Sequence, residues 1–233
     1  MARTQIAIVT GAGSGIGNAI ARRLVAERYK VIGADITWRS LEGDFARRDV
    51  DVRKSSDLRK LFEDTAQEHG FIDVAVNSAG VSGRWRVATT PDDEWLRVMD
   101  INLNGVFYGM REAATHMIRQ KSGRIINIAS NRGLHGLKNG APYAASKGGV
   151  LALTKSAALE LAPDNIGVFA ILPGSTDTPL LRGTRTDAQV EEIALRGLNK
   201  PEHVADAIPP LLLPEALAYN GACISLARRT LTA

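Results

Sequence analysis

Tyr143 and Lys147 stand four residues apart in Pro142-Tyr143-Ala144-Ala145-Ser146-Lys147, and Ser130 lies thirteen residues before the tyrosine. The run that follows, Gly148 to Leu161, is rich in Ala and Leu and holds no proline, so it reads as helix. Positions i and i+4 share one face of a helix, which sets the Lys147 ammonium beside the Tyr143 ring. A free phenol has a pKa of about 10 and moves protons poorly at neutral pH. A fixed cation nearby favours the phenolate and brings that pKa toward the working range. The chemistry these types suggest is proton transfer. The same spacing also arises by chance as a half-buried ring beside a solvated charge, so the rest of the chain decides between the two.

The elements that must position these residues alternate. Gln5 to Thr10 is a short apolar run ending in glycines, as a buried parallel strand would be. Ile16 to Arg28 reads as helix, Lys30 to Ala34 as strand, Ser56 to Glu68 as a polar helix and Asp73 to Asn77 as strand. A long helix within Asp92 to Gln120 follows, then a strand Arg124 to Ala129, the Tyr143 helix, a strand Gly167 to Leu172 and a last strand around Ala222 to Leu226. Such alternation argues an α/β fold, a doubly wound parallel sheet with helices on both faces. No linker, repeat or low-complexity tract interrupts it, so residues 1–233 read as one domain.

Composition narrows the class. The chain is 45% hydrophobic and 23% charged with a formal charge of +4, ordinary for a soluble globular protein. Its basic residues are scattered among acids with few aromatics, which does not indicate nucleic-acid binding. No apolar run approaches a membrane span, and no charged-then-apolar leader opens the chain. One cysteine, Cys223, allows no internal disulfide and suits a reducing cytoplasm. His69, His116, His135 and His203 are scattered with no metal-ligand spacing.

Thr10-Gly11-Ala12-Gly13-Ser14-Gly15-Ile16-Gly17 lies between the first strand and the first helix. Glycines there let the backbone turn tightly and approach a pyrophosphate at the positive end of the helix. Asp35 closes the second strand eighteen residues after Gly17, where a dinucleotide-binding unit meets the adenosine ribose. A carboxylate accepts from both ribose hydroxyls and repels a 2′-phosphate, which favours NAD over NADP. Arg39 lies close enough to blur that choice.

With these residues in place, the chain resembles the short-chain dehydrogenase/reductase family over nearly its whole length. The glycine motif spans Thr10 to Gly17, the Tyr-x3-Lys pair is Tyr143 and Lys147, and the upstream serine is Ser130. The Asn-Asn-Ala-Gly segment appears as Asn77-Ser78-Ala79-Gly80, the helix asparagine is Asn102, and Pro-Gly-x3-Thr-Pro runs from Pro173 to Pro179. The resemblance implies a single-domain Rossmann-type fold and an NAD-dependent oxidoreductase that interconverts a secondary alcohol and a ketone. It implies that Gly11, Ser14, Gly15, Ile16 and Gly17 line the pyrophosphate, with Ser14 at a place often basic in NADP-using relatives. Asp35 and Ile36 would hold the adenosine ribose, Asp51 and Val52 would flank the adenine, and Asn77, Ala79 and Gly80 would run along the middle of the dinucleotide. Pro173, Gly174, Thr176 and Thr178 would cover the nicotinamide. Tyr143 would be the general acid/base and Ser130 would bond the substrate oxygen. Lys147 would stabilise the phenolate and hold the nicotinamide ribose, and Asn102 would hold a proton-carrying water.

The resemblance also implies a homodimer or homotetramer, with a contact made by the helices within Asp92–Gln120 and Pro142–Leu161. Departures from the pattern are specific. Little helix fits between Asp35 and Asp51, a short form resembling ring-diol dehydrogenases, so a ring diol or polyol is one candidate substrate. Gly167 and Phe169 replace the usual Arg and Asn. Ser225-Leu226-Ala227-Arg228-Arg229 replaces the usual strand ending, and Pro209, Pro210 and Pro214 should break the helix before it. Arg84, Trp85 and His135 are candidates to border the substrate, against plain loop packing or solvation. Trp95, Leu96 and Met99 read as helix core or subunit interface, and Cys223 as a buried strand residue. Two other readings remain: an NADP-linked 3-oxoacyl-thioester reductase, and a dinucleotide-binding regulatory protein without catalysis.

Overall fold

Short apolar runs buried on both faces are the lengths of chain that build this molecule. A computed structural model describes residues 3–40, 42–195 and 197–226. In β1 (Ile6–Thr10) all five residues are buried. Ala7 and Val9 enter one core while Ile6 and Ile8 enter the other, because successive side chains of a strand point to opposite faces. Apolar residues on both faces of one strand require helices on both sides of the sheet.

In chain order, α1 (Gly15–Ala26) leads to β2 (Lys30–Asp35) and β3 (Ala46–Asp49), then α2 (Ser55–His69) and β4 (Val74–Asn77). Next come α3 (Asp92–Met99) and α4 (Gly105–Gln120), β5 (Gly123–Ile128), α5 (Arg132–His135) and α6 (Ala141–Leu161). The chain continues through β6 (Ile166–Pro173), α7 (Pro179–Arg182), α8 (Asp187–Leu195), α9 (Pro201–Ala205), α10 (Pro209–Leu212) and β7 (Cys223–Leu226). The strands form one seven-stranded sheet in the order β3-β2-β1-β4-β5-β6-β7, and every pairing is parallel. The winding reverses beside β1, which pairs β2 on one side and β4 on the other. Crevices for ligands open at such a reversal, beyond the carboxyl ends of the strands.

The expected alternation is present, with differences that have physical causes. The edge strand β3 escapes sequence reading because Ala46-Arg47-Arg48-Asp49 lacks an apolar pattern. It is a half-exposed edge, held by β2 and by the Trp38 indole, which donates to Asp49 at 2.8 Å. No helix forms among the described residues between β2 and β3. Phe45 fills that side of the core instead, against Trp38. The long helix within Asp92–Gln120 is interrupted by a wider π-type turn over Asp100–Asn104. The Tyr143 helix begins earlier than the Ala/Leu run, at Ala141, since Pro142 sits in the first turn where its missing N–H is not needed.

Gly167 and Phe169 explain each other. Both lie on one face of β6, and a Cβ on Gly167 would stand 2.8 Å from the Phe169 ring and 3.1 Å from the Arg124 side chain. The fully buried ring folds back over the space that a side chain at 167 would take. Near the carboxyl terminus the prolines act as expected. Pro209 opens the four-residue α10, and Pro214 starts a separate tight turn over Pro214–Tyr219. Cys223 is half-buried at the start of β7. Trp95 and Leu96 are 40% and 56% exposed, which removes the helix-core reading for both. Ala227, Arg228 and Arg229, where the strand ending departs, lie outside the described residues.

Candidate active site

Thr10, Asp35, Asn77, Ile128 and Pro173 end five neighbouring strands, and a crevice of about 1250 Å³ opens above them. That exceeds the roughly 300–1,000 Å³ of a site for one small ligand, leaving room for a cofactor and a substrate together. Gly11, Ser14, Gly15, Ile16, Gly17, Asp35, Ile36, Asp51, Val52, Ala79 and Gly80 line it, as do Ser130, Tyr143, Lys147, Pro173, Gly174, Thr176 and Thr178. The fold thus gathers these predicted residues into one space. It does not bring Asn77 and Asn102 to the wall.

The glycine loop presents the start of α1 to the crevice. Ser14 makes no side-chain cap bond and no acid occupies the first turn. The amides there point outward as donors for an anion, supported by the helix dipole. Gly17 is required for the loop to close, because a Cβ there would lie 2.1 Å from the Gly11 carbonyl oxygen. This cradle fits a pyrophosphate. At its far end the Asp35 carboxylate accepts from Gly13 N (2.9 Å), Ile36 N (2.7 Å) and Thr37 N (3.1 Å). Asp35 therefore fixes the glycine loop as well as facing the crevice. Ile36 projects 63% exposed at the lip, where a flat base can lie. Asp51 is bound to Arg53 at 2.6 Å, and that bond holds its carboxyl below the ordinary range. Arg53 lines the crevice and was not foreseen.

Ser130, Tyr143 and Lys147 meet at the other end. Ser130 is buried just past β5, and its hydroxyl oxygen accepts from the Arg132 amide at 3.1 Å. The half-buried Tyr143 phenol is pushed above its ordinary pKa by burial; the opposing influences are a hydrogen bond with Ser130 and the Arg132 charge. Lys147 is buried and donates to the Ile128 carbonyl oxygen at 2.8 Å. Burial alone brings its pKa down to about 8. The expectation that Lys147 draws the phenol pKa down is thus not met in the free protein. The ammonium is turned to the end of β5, and the influences that favour the phenolate are Ser130 and Arg132.

Asn102 lies fully buried in the π-type turn. Its amide donates to Val81 O (2.9 Å) and Ser146 Oγ (3.2 Å) and accepts from Val81 N (2.8 Å). Ser146, unremarked in the sequence, passes the link on to the Tyr143 carbonyl at 2.8 Å. Asn102 therefore braces the loop after β4 against the Tyr143 helix. A Cβ on Gly80 would stand 3.4 Å from Asn102 Oδ1 and 3.5 Å from Lys147 Nζ, so the asparagine also looks toward the lysine. Asn77 turns away from the crevice and donates to Asn127 at 2.9 Å inside the protein. It ends β4 with its side chain on the face covered by α4, where Gly109 makes room for it.

The Pro173–Thr178 side of the crevice carries a similar economy. Thr178 caps α7, its hydroxyl accepting from Leu181 N at 3.3 Å, and Thr176 is buried with its hydroxyl on Gly174 O at 3.2 Å. Arg84 and His135 line the crevice, whereas Trp85 lines a smaller hollow beside it and donates to Glu94 at 3.4 Å.

A doubly wound sheet, an uncapped glycine loop and a Ser–Tyr–Lys cluster in one crevice define an oxidoreductase that works with a nicotinamide dinucleotide. Comparison with known proteins agrees. The short chain dehydrogenase family model matches residues 5–189. The 2-(R)-hydroxypropyl-CoM dehydrogenase of Xanthobacter autotrophicus is 33% identical, with 95% of this chain and 96% of that protein covered. Ligand-free aldohexose dehydrogenase of Thermoplasma acidophilum superposes with a TM-score of 0.89 at 34% identity, covering 96% of this chain and 92% of that one. The 3-ketoacyl-(acyl-carrier-protein) reductase of Brucella melitensis complexed with NADH gives 0.88 at 30% identity, covering 95% and 96%. The chain belongs to the short-chain dehydrogenase family. Among the described residues no helix is long and apolar enough to cross a membrane.

Proposed function

We propose that this protein interconverts a secondary alcohol and a ketone with NAD, Tyr143 moving the proton. The observation that carries the reading is that Ser130, Tyr143 and Lys147 line the same crevice as the glycine cradle. A nicotinamide dinucleotide held there supplies the hydride acceptor or donor. Gly11, Ser14, Gly15, Ile16 and Gly17 hold its pyrophosphate, and Asp35 with Ile36 holds the adenosine ribose. Asp51 and Val52 stand beside the adenine, Ala79 and Gly80 beside the middle, and Pro173, Gly174, Thr176 and Thr178 beside the nicotinamide. Ser130 donates to the substrate oxygen and keeps it against Tyr143. The phenolate takes the hydroxyl proton in oxidation, and the phenol returns it in reduction. Lys147, fixed by Ile128, holds the nicotinamide ribose and passes protons on. Asn102 keeps the lysine side of the site in place and, on this reading, steadies a water there; Asn77 acts from behind the sheet.

The Asp35 carboxylate supports NAD over NADP, since a 2′-phosphate would meet its charge. The substrate is a small alcohol or ketone, and a ring diol or polyol is one class, on the resemblance of the short β2–β3 connection to that of ring-diol dehydrogenases. Residues 1–233 act as one unit in the cytoplasm, and the exposed Trp95, Leu96, Phe107 and Leu159 on α3, α4 and α6 support self-association as a dimer or tetramer. The test is reduction of NAD and NADP with a panel of diols, polyols and hydroxy acids. Tyr143→Phe should abolish turnover while NADH binding stays near the parent's. Retained turnover in that variant would defeat the assignment. A second reading, a 3-oxoacyl-thioester reductase, is favoured by the likeness to the Brucella 3-ketoacyl-(acyl-carrier-protein) reductase, and faster turnover of such a thioester with NADPH would select it.

A further inference from the structure

The acids on the crevice wall are confined to one end, where Arg39 and Arg53 also lie. Among the described residues that line it, the acids are Asp35 and Asp51, both at the adenosine end. Asp35 is engaged by three backbone amides and Asp51 by Arg53. The substrate end is lined instead by Arg84, Arg132 and Arg185, together with His135. These arginines come from separate walls. Arg84 follows β4, Arg132 opens α5 directly after Ser130, and Arg185 lies between α7 and α8.

None of the three takes part in an ion pair among the described residues. Arg84 reaches only the Lys138 carbonyl at 3.5 Å, and Arg185 only the Thr184 carbonyl at 3.4 Å. Asp177, the acid beside α7, is already taken by Arg182 at 2.6 Å. By contrast Arg97, which also lines the crevice, is neutralised by Glu94 at 2.8 Å. Arginines on the wall of one crevice without counter-charges can receive an anion, because the guanidinium fork matches carboxylate and phosphate oxygens.

From this placement we infer that the substrate is an anionic hydroxy compound, its carboxylate or phosphate held by Arg132 and Arg185 while Ser130 and Tyr143 engage its hydroxyl. This rests on the dehydrogenase reading and names the substrate class for that same site. Arg132 is the specificity-determining residue. It follows the serine by two positions, its amide bonds the serine hydroxyl, and its charge is felt at the Tyr143 phenol. A ring diol or polyol without an acidic group leaves these charges unanswered.

The test is titration calorimetry on the parent, Arg132→Gln, Arg132→Lys and Arg185→Gln proteins, each with and without saturating NADH. The probes are 3-hydroxybutanoate against its methyl ester, and glycerol 3-phosphate against glycerol. The parent should bind one anion of these pairs roughly 10- to 100-fold tighter than its neutral counterpart, the range expected of a charge-assisted hydrogen bond. The two pairs separate carboxylate from phosphate. Arg132→Gln and Arg185→Gln should each collapse that ratio, and Arg132→Lys should restore part of it. Equal affinity for anion and neutral partner in the parent overturns the inference. So does a preference unchanged in both glutamine variants, which would place the anion on the glycine loop. Failure of the dehydrogenase reading shows differently, as absence of NADH binding and of turnover with any alcohol, and the titrations without NADH still decide the anion preference.

Discussion

Lys147 donates to the Ile128 carbonyl oxygen at 2.8 Å, which pins the Tyr143 helix to the carboxyl end of β5. The cost of that arrangement is a buried amine whose pKa falls to about 8. Between that value and the ordinary lysine value the folded protein binds fewer protons than the unfolded chain, so stability rises with pH across the window. Relative to Lys147→Met, the parent should gain on the order of 3 kcal/mol between about pH 8 and about pH 10.5. Urea unfolding of both proteins along that range checks it. A gap that stays flat would mean the lysine titrates as though exposed.

The pH dependence of turnover has a sign fixed by Tyr143. Burial raises the phenol, while the Ser130 bond and the Arg132 charge oppose it. Oxidation needs the phenolate and should climb with pH above neutrality. Reduction needs the phenol and should fall over the same limb. Ser130→Ala should move both limbs to higher pH and lower kcat/KM by about 10²-fold or more, as loss of an oriented donor does. Limbs left in place in that variant would separate Ser130 from the titrating group.

Asp35 has a structural role, and on the proposed reading also a part in choosing the cofactor, and one substitution reads out both. Its carboxylate accepts three backbone amides, so Asp35→Ala should cost about 1–3 kcal/mol of stability from unsatisfied donors. The same change removes the charge that faces a 2′-phosphate. The ratio of kcat/KM for NADH to that for NADPH should fall by roughly tenfold or more, the scale of about 1.4 kcal/mol. Denaturant midpoints and the two cofactor titrations give the readouts. An unchanged ratio would leave Asp35 a structural residue only.

Gly167→Ala probes the packing of β6. The added methyl would meet the Phe169 ring at 2.8 Å, and that ring is fully buried. Overpacking of this kind costs about 1–3 kcal/mol. Gly167→Ala combined with Phe169→Leu should recover part of the loss, which a double-mutant cycle in urea measures. Additive losses would show that the two positions do not share the space.

Much of the site was legible because chemistry and register both leave marks on a parallel sheet. The Thr10–Gly17 loop, Asp35, Ser130 and the Tyr143–Lys147 pair sit just past apolar runs, and the crevice must open there once those runs pair side by side. β3 left no such mark, since an edge strand needs no apolar alternation. Arg53, Arg132 and Ser146 were missed because their types are common and their spacing says nothing until the strand ends are brought together. Asn77 ends a strand as expected, yet its side chain points the other way, a matter of which face of β4 it occupies.

By itself the order of residues determined the parallel α/β layout, the glycine cradle and the placing of a serine just past a strand end and of a tyrosine and a lysine on one helix. These follow from local rules: glycine where a backbone must turn, proline at a helix start, one i,i+4 pair on one face. Only the tertiary structure decided what each of these groups actually meets. Lys147 faces a carbonyl, Asn102 ties a loop to a helix, and arginines from three separate segments line one crevice. Burial and charge in a crevice are sums over residues distant in the chain, and folding alone brings them within reach.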